Sequence, residues 1–210
     1  MACLVTGFAG KISQYKKAIN ALLAQGYDVI AFEYDNAVLD AGDARLLPEL
    51  IHDITDTLGP LSSKYDKIIC TGVSLGAQIA INVQRRLQNV SLGVYGTAGA
   101  PVSLVIFRAR VFYKIKKAFT ANGFTEASLR KVWQQIDEDG HSGLGLGQSV
   151  LVVLGKQDRI LPYKIAVKVL EGWKKQGTRV DYFPLRTLGH SMTIRWYKNH
   201  LDQLLARARA

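Results

Sequence analysis

Six short apolar runs spaced along the chain constrain its fold more than any other feature. They occupy residues 2–6, 27–34, 67–71, 91–95, 150–154 and 179–183. Several of them lack the polar alternation of a half-exposed strand, which indicates strands that are covered on both faces. Strands of that kind belong to parallel sheets, so the runs predict a mostly parallel sheet of about six strands.

Segments with apolar residues at helical spacing lie between these runs. Their apolar stripes comprise Ile12, Tyr15, Ile19, Leu22 and Leu23; Leu47, Leu50, Ile51, Ile54 and Leu58; Leu75, Ile79 and Val83; Ile165, Val169 and Trp173. One last helix, with Ile194, Tyr197, Leu201, Leu204 and Leu205 on one face, is expected to pack back on the sheet. Alternation of strand and helix predicts a doubly wound α/β fold.

Length and composition agree with a single domain over residues 1–210. A chain of 210 residues with 48% apolar residues can bury a large core, and no linker or repeat divides it. No apolar run approaches the length of a membrane span, and no basic-then-apolar leader precedes the first strand, so a cytoplasmic location is expected. Cys3 and Cys70 fall in predicted buried strands without metal-ligand spacing, which favours reduced core thiols.

The pentapeptide GVSLG at residues 72–76 lies between a strand-like run and a helix-like run. This is the context that a nucleophile elbow requires, in which a tight strand-to-helix turn holds a serine hydroxyl above the sheet. The glycines on either side keep neighbouring backbone from clashing in the strained turn. Ser74 is therefore the candidate nucleophile; the alternative is a helix N-cap without chemistry.

An elbow serine needs an acid and then a base further along the chain, and two loops after predicted strands supply them. Asp158 follows the run at 150–154, and His190 follows the run at 179–183. A neutral imidazole can take the proton of the serine, and a carboxylate can hold the imidazole in the required tautomer. Asp158 could instead only cap a helix, and Asp181, inside a strand, is a weaker acid candidate.

With these three residues in this order, the chain resembles the α/β-hydrolase family over nearly its whole length outside residues 101–148. The resemblance implies a serine hydrolase that cleaves a carboxylic ester or thioester through an acyl-enzyme, without a cofactor. It also implies an oxyanion hole from two backbone amides, which map to Leu75 and to Phe8 in the loop after the first strand. The family's usual antiparallel hairpin before that strand is expected to be missing, since the strand-like run starts at Ala2.

Residues 101–148 interrupt the alternation of strands and helices, at the place where that family usually carries a cap. Two apolar helical stripes predict a helical hairpin that forms a lid over the substrate: Val111, Phe112, Ile115 and Phe119; Leu129, Val132, Trp133 and Ile136. Phe112 and Trp133 are the expected substrate-binding residues. The alternative is that both stripes simply bury themselves on the core. The acidic stretch from Asp137 to His141 lacks the spacing of a calcium loop, so no metal is expected.

The formal net charge is +10, and basic residues concentrate on this expected cap. They are Arg108, Arg110, Lys114, Lys116, Lys117, Arg130 and Lys131. A small-molecule acyl ester that is anionic or amphiphilic would be attracted there, although a solvated polar face explains the charge equally well. No nucleic-acid-binding motif accompanies the charge, so nucleic acid is not an expected partner. A homo-oligomer is an open alternative.

Two other classes of protein share parts of this sequence pattern. Tyr113 and Lys117 have the Tyr-x-x-x-Lys spacing of a short-chain dehydrogenase, but the loop with Gly7 and Gly10 lacks the third glycine of a dinucleotide turn. A non-hydrolytic protein of the same fold, either a binding module or a cofactor-free oxidative enzyme, stays open. The sequence does not identify the substrate.

Overall fold

A computed structural model describes residues 1–137, 144 and 148–209. Its central sheet has six strands, all of them parallel, in the order β2-β1-β3-β4-β5-β6. The strands are β1 (Ala2–Val5), β2 (Val29–Phe32), β3 (Ile68–Val73), β4 (Val90–Gly96), β5 (Ser149–Gly155) and β6 (Arg179–Leu185). The sequence prediction of a parallel six-stranded sheet is therefore confirmed, with strand ends shifted by a few residues.

The strand order creates a switch point between β1 and β3. The chain leaves β1 toward β2 on one side and then returns to place β3 on the other side, where Cys3 pairs with Cys70. In parallel sheets, ligands bind in the crevice beyond the carboxyl ends of strands at such a point. The loops after β1 and β3 meet there, and they contain Phe8 and Ser74. A dinucleotide-binding sheet would instead run 3-2-1-4-5-6, which argues against the dehydrogenase alternative.

Helices cover both faces of the sheet. They are α1 (Lys16–Ala24), α2 (Ala37–Asp40), α3 (Leu46–Ser62), α4 (Leu75–Arg86), α5 (Val102–Arg108), α6 (Tyr113–Ala121), α7 (Glu126–Val132), α8 (Tyr163–Lys175), α9 (His190–Asn199) and α10 (Leu201–Arg209). The side chains of α1, α9 and α10 form one apolar layer with Leu4 and Val94 of the sheet. Those of α3, α4, α8 and the 101–137 segment form the other layer with Cys3 and Val5.

Three local expectations need correction. The last apolar stripe forms two helices that meet at His200, whose Nδ1 lies 2.8 Å from the Trp196 carbonyl oxygen. Helices α2 and α5 were not expected. Leu23, Val111 and Val132 are more than half exposed, because each lies at the outer edge of its stripe.

Residues 101–137 pack on the domain and share its core. Phe119 and Trp133, both fully buried, belong to the same apolar layer as the strands. Trp133 Nε1 donates to the Ala44 carbonyl oxygen at 2.7 Å, and Asn122 Nδ2 donates to the Gly42 carbonyl oxygen at 3.0 Å. The insertion is thus fastened to the loop before α3. His141 and the glycine-rich return at 143–147 lie outside the described residues, apart from residue 144.

In the described part of the chain, no helix combines the length and the apolar character that crossing a membrane requires. Cys3 and Cys70 are buried free thiols on adjacent strands, as the sequence predicted.

Candidate active site

Ser74 occupies a strained turn between β3 and α4. Its backbone dihedrals are φ 53° and ψ −125°, a combination that side-chain-bearing residues adopt only when the surrounding structure imposes it. A Cβ on Gly72 would lie 2.5 Å from the Gly76 carbonyl oxygen, so the turn closes only with glycine at position 72. The strand, the sharp turn and the helix predicted from the pentapeptide are therefore all present.

The next strand holds this turn from the side. The Ser74 amide donates to the Gly96 carbonyl oxygen at 2.9 Å and to Thr97 Oγ1 at 3.1 Å. Thr97 itself has a left-handed φ of 52°, which brings its hydroxyl under the turn. The Ser74 amide is therefore used by Gly96 and Thr97. The next backbone donor beside the Ser74 hydroxyl is the amide of Leu75, the first residue of α4.

The structure brings Ser74, His190 and Asp158 into one hydrogen-bonded relay. His190 Nε2 lies 3.0 Å from Ser74 Oγ, and His190 Nδ1 lies 2.7 Å from Asp158 Oδ2. With the imidazole proton on Nδ1, Nε2 is free to accept the serine proton. Both distances lie within the reach that proton transfer needs.

Asp158 is anchored by its own loop as well as by His190. Its Oδ1 accepts from the amides of Ile160 at 2.9 Å and Leu161 at 2.8 Å, and its side chain is 2% exposed. These bonds fix the carboxylate so that Oδ2 faces the imidazole. Asp181, the weaker candidate, lies on the surface and pairs with Arg207 at 3.0 Å, so it is not part of the relay.

The acid and base loops are packed directly against each other. A Cβ on Gly155 would lie 2.4 Å from the Leu188 carbonyl oxygen and 2.4 Å from Thr193 Oγ1. The Gln157 amide also donates to Leu188 at 3.2 Å. The spacing between Asp158 and His190 is therefore set by backbone contact, which sequence spacing did not reveal.

The loop after β1 forms a tight turn in which Gly10 donates to the Gly7 carbonyl oxygen at 2.8 Å. Tyr15 Oη accepts from the Gly7 amide at 2.8 Å, and Asn36 Oδ1 accepts from the Ala9 amide at 3.0 Å. Ala9 has a left-handed φ of 57°. Tyr15 and Asn36 thus hold this loop in place. Neither residue was predicted to belong to the site. Asn36 is remote along the chain, and Tyr15 was assigned only to a helical stripe.

Phe8 and Leu75, the expected oxyanion donors, both border the cavity that contains Ser74. Among the described residues, neither backbone amide donates to a protein group. The Leu75 amide also lies in the first turn of α4, where the helix dipole favours negative charge. These are the properties that a developing oxyanion requires of its donors.

A mostly apolar cavity with about 440 Å³ of unfilled space, counting its open mouth, adjoins Ser74. Its lining comprises Phe8, Leu39, Ser74, Leu75, Gln78, Ala100, Val102, Val105, Ile106, Phe112, Ile160 and Leu161. Phe112 meets Phe8 edge to face with ring centroids 6.2 Å apart. None of these lining residues carries a charge.

Trp133 does not reach this cavity, contrary to its expected role as a substrate-binding residue. Its ring packs edge to face on Phe119 with ring centroids 5.5 Å apart, and its indole N–H donates to the Ala44 carbonyl oxygen. The wall that was expected from Trp133 comes instead from Val102, Val105 and Ile106 of α5. The sequence did not reveal this helix, because five of its seven residues are apolar and they show no helical periodicity.

Among the described residues, no three or more His, Cys, Asp or Glu side chains are grouped as metal ligands. Asp137, which begins the acidic stretch 137–141, is fully buried and accepts from the Val102 amide at 2.7 Å and from the Ser103 hydroxyl. Burial raises its pKa to about 6, against the opposing effect of the Ser103 and Val102 hydrogen bonds. It caps the start of α5.

No protein-family model and no curated protein sequence matches the chain. Solved structures do match. An esterase from Pyrococcus furiosus has a TM-score of 0.64 at 16% identity, over 100% of this chain and 82% of the esterase. Alpha/beta hydrolase domain-containing protein 10 from mouse has a TM-score of 0.66 at 14% identity, over 98% of this chain and 89% of the mouse protein.

An acylaminoacyl peptidase from Pyrococcus horikoshii matches with a TM-score of 0.69 at 13% identity, over 99% of this chain. The match covers 37% of that peptidase, so the chain corresponds to only part of it. Similarity at these identities concerns the fold. The α/β-hydrolase fold expected from the sequence is confirmed, and the assignment of an activity is a separate step.

Proposed function

We propose that this protein is a serine hydrolase that cleaves a carboxylic ester or thioester through an acyl-enzyme on Ser74. The observation that carries the proposal is the relay Ser74–His190–Asp158, with 3.0 Å and 2.7 Å between its members, at the mouth of an apolar cavity. The similar solved structures named as an esterase and as a peptidase support acyl transfer as the class of reaction.

In the first half-reaction, Ser74 Oγ attacks the carbonyl carbon while His190 Nε2 takes the hydroxyl proton. Asp158 stabilises the imidazolium, and the amides of Phe8 and Leu75 receive the charge on the carbonyl oxygen. The tetrahedral intermediate collapses when the carbon–oxygen or carbon–sulfur bond of the leaving group breaks. His190 gives its proton to that leaving atom, and the acyl group stays on Ser74.

In the second half-reaction, water attacks the acyl-enzyme. His190 takes a proton from the water and then returns one to Ser74 Oγ, so that the carboxylic acid leaves and the enzyme is regenerated. No step needs a cofactor.

The cavity supports an uncharged, mainly apolar acyl group, with Phe112 against the substrate and α5 as the wall of the insertion. The cations of the insertion lie elsewhere. Arg108 and Arg130 border a groove on another face of α5, together with Lys164 and Lys168, and Arg108 is paired with Glu126 at 2.6 Å. An anionic group could bind there only if the substrate extends beyond the cavity.

Covalent labelling with a fluorophosphonate tests the nucleophile, and a panel of p-nitrophenyl esters, thioesters and anilides tests the substrate class. Ser74→Ala should abolish labelling and hydrolysis while the fold persists, because the elbow depends on the glycines and not on the hydroxyl. The matched control is Ser63→Ala, since Ser63 is an exposed serine, remote from the cavity, whose hydroxyl donates to the Pro60 carbonyl oxygen at 3.2 Å. A Ser74→Ala variant that keeps more than a few per cent of the activity would exclude Ser74 as nucleophile.

Absence of labelling and of hydrolysis in the native protein would instead favour the non-hydrolytic alternative. The relay would then be present without acyl transfer.

A further inference from the structure

Gln78 lies one helical turn after Ser74 on α4 and lines the same cavity. Its residue surface is 2% exposed. Apart from Ser74, it contributes the only polar side chain among the described lining residues, which are otherwise aliphatic or aromatic. A polar amide in such surroundings calls for hydrogen-bond partners on both of its ends.

One end of the Gln78 amide is satisfied. Its Nε2 donates to the carbonyl oxygen of Ile136, which also accepts from Asn82 Nδ2 at 2.9 Å. Reversing the amide would place Oε1 against the Ile136 carbonyl oxygen, where two acceptors repel. The contact with Ile136 therefore fixes the orientation of the amide.

Within the part of the chain that the structure describes, the other end is not satisfied. No group in residues 1–137, 144 and 148–209 donates to Gln78 Oε1, and the atom is buried. A buried acceptor without a donor is costly, so a native structure that keeps one calls for an explanation. A ligand that supplies the donor is the explanation that fits a side chain lining the cavity.

We propose that Gln78 selects substrates whose acyl group carries a hydrogen-bond donor, either a hydroxyl or an amide N–H, that binds to Oε1. This inference rests on the proposed esterase function and narrows its substrate class. Ser74 and Gln78 are four residues apart, about 6 Å along the helix axis. The donor should therefore stand a few bonds from the scissile carbonyl, in an acyl chain that is otherwise apolar.

Pairs of p-nitrophenyl esters that differ in one donor group test the proposal. They are acetylglycine against levulinate, where CH₂ replaces N–H, and β-hydroxybutyrate against isovalerate and ω-hydroxyhexanoate against heptanoate, where CH₃ replaces O–H. Wild type should show a kcat/KM at least about tenfold higher for the donor ester in one or more pairs. Sites built to bond a polar group reject analogues that lack it.

Gln78→Met keeps the length of the side chain but removes the acceptor. The ratio within the preferred pair should fall to one or below, because an apolar pocket does not favour an added polar group. Asn82→Leu is the matched control: Asn82 donates to the same Ile136 carbonyl oxygen but does not line the cavity. It should lower stability and leave the ratio unchanged.

Equal kcat/KM values in every pair for wild type would overturn the proposal, whether or not the variants fold. So would a Gln78→Met variant that keeps the wild-type ratio, since Gln78 would then only anchor Ile136. In either case, hydrolysis of the donor-free esters would leave the proposed function standing. Failure to hydrolyse any ester, together with failure of Ser74 labelling, would overturn both.

Discussion

Gly76 of α4 packs so closely on β1 that a Cβ at position 76 would lie 2.1 Å from the carbonyl oxygen of Thr6. Thr6 leads directly into the loop that contains Phe8, and Gly76 follows Leu75. This contact therefore sets the distance between the two amides that are proposed to hold the oxyanion. The second glycine of the pentapeptide serves the spacing of the site as well as the shape of the turn.

Gly76→Ala should accordingly separate the elbow from the loop after β1. We expect a loss of about 1–3 kcal/mol in the free energy of unfolding from overpacking. We also expect a fall of about a hundredfold in kcat, since a displacement near 1 Å has that effect on a preorganised site. Urea denaturation and steady-state kinetics measure the two.

Gly172→Ala is the control for the glycine substitution itself. Gly172 lies within α8, and a Cβ there would meet nothing within 4 Å. This variant should keep full activity and gain up to about 1 kcal/mol in stability, as alanine usually does in a helix. An active Gly76→Ala variant would contradict the role assigned to the contact with Thr6.

A second prediction concerns the acid of the relay. Asp158→Asn should lower kcat by about two to four orders of magnitude, because the amide N–H₂ facing His190 Nδ1 would favour the wrong tautomer. Asp181→Asn, which removes only an exposed pair with Arg207, should change kcat little. Kinetics of the two variants on one ester decide the assignment, and the reverse ranking would refute it.

The sequence predicted the residues of the relay because each carries a local signal. Ser74 stands between a strand and a helix, and Asp158 and His190 follow late strands in the required order. What the sequence could not show is how these loops are held, since the contacts of Gly155 with Leu188 and of Thr97 with Ser74 join segments that are distant along the chain.

The same limit explains why Gln78 was missed. Helix α4 is buried almost all round, with Gln78, Asn82 and Gln84 at 0–2% exposure, so apolar periodicity does not separate its faces. The available signal was the spacing of four from Ser74 to Gln78 and again to Asn82, which places all three on one side of a helix. Only the tertiary contacts show that this side of the helix borders the cavity at Gln78 and contacts the Ile136 carbonyl oxygen at Asn82.

The two aromatic residues expected to bind substrate should now behave differently. Phe112→Ala should shift the preferred acyl length upward, because the space it frees admits several methylenes and each buried methylene contributes roughly 0.8 kcal/mol. Trp133→Ala should leave the length profile unchanged and cost about 3–5 kcal/mol in stability, as expected for a fully buried core residue. Kinetics on a graded ester series and urea midpoints give both readouts. A changed acyl-length profile for Trp133→Ala would show that Trp133 contacts the substrate after all.

The last prediction follows from Asp137, which caps α5 and so supports one wall of the cavity. Burial raises its folded-state pKa to about 6, above the ordinary value of 3.8 for an aspartic acid side chain. Between these two values the folded protein keeps a proton that the unfolded chain releases. The free energy of unfolding should therefore fall as pH rises through this window, by up to about 3 kcal/mol in total.

Asp137→Asn removes this titration but keeps an acceptor for the Val102 amide. Its side-chain N–H₂ would donate to the Ser103 hydroxyl, which donates to the carboxyl in the wild type. Every other titrating group is common to both proteins and cancels in their difference. The stability of Asp137→Asn relative to wild type should therefore increase from pH 4 to pH 7. Urea midpoints of the two proteins across this range provide the test. Parallel profiles would mean that the buried carboxyl has an ordinary pKa, and that its hydrogen bonds to α5 offset the effect of burial.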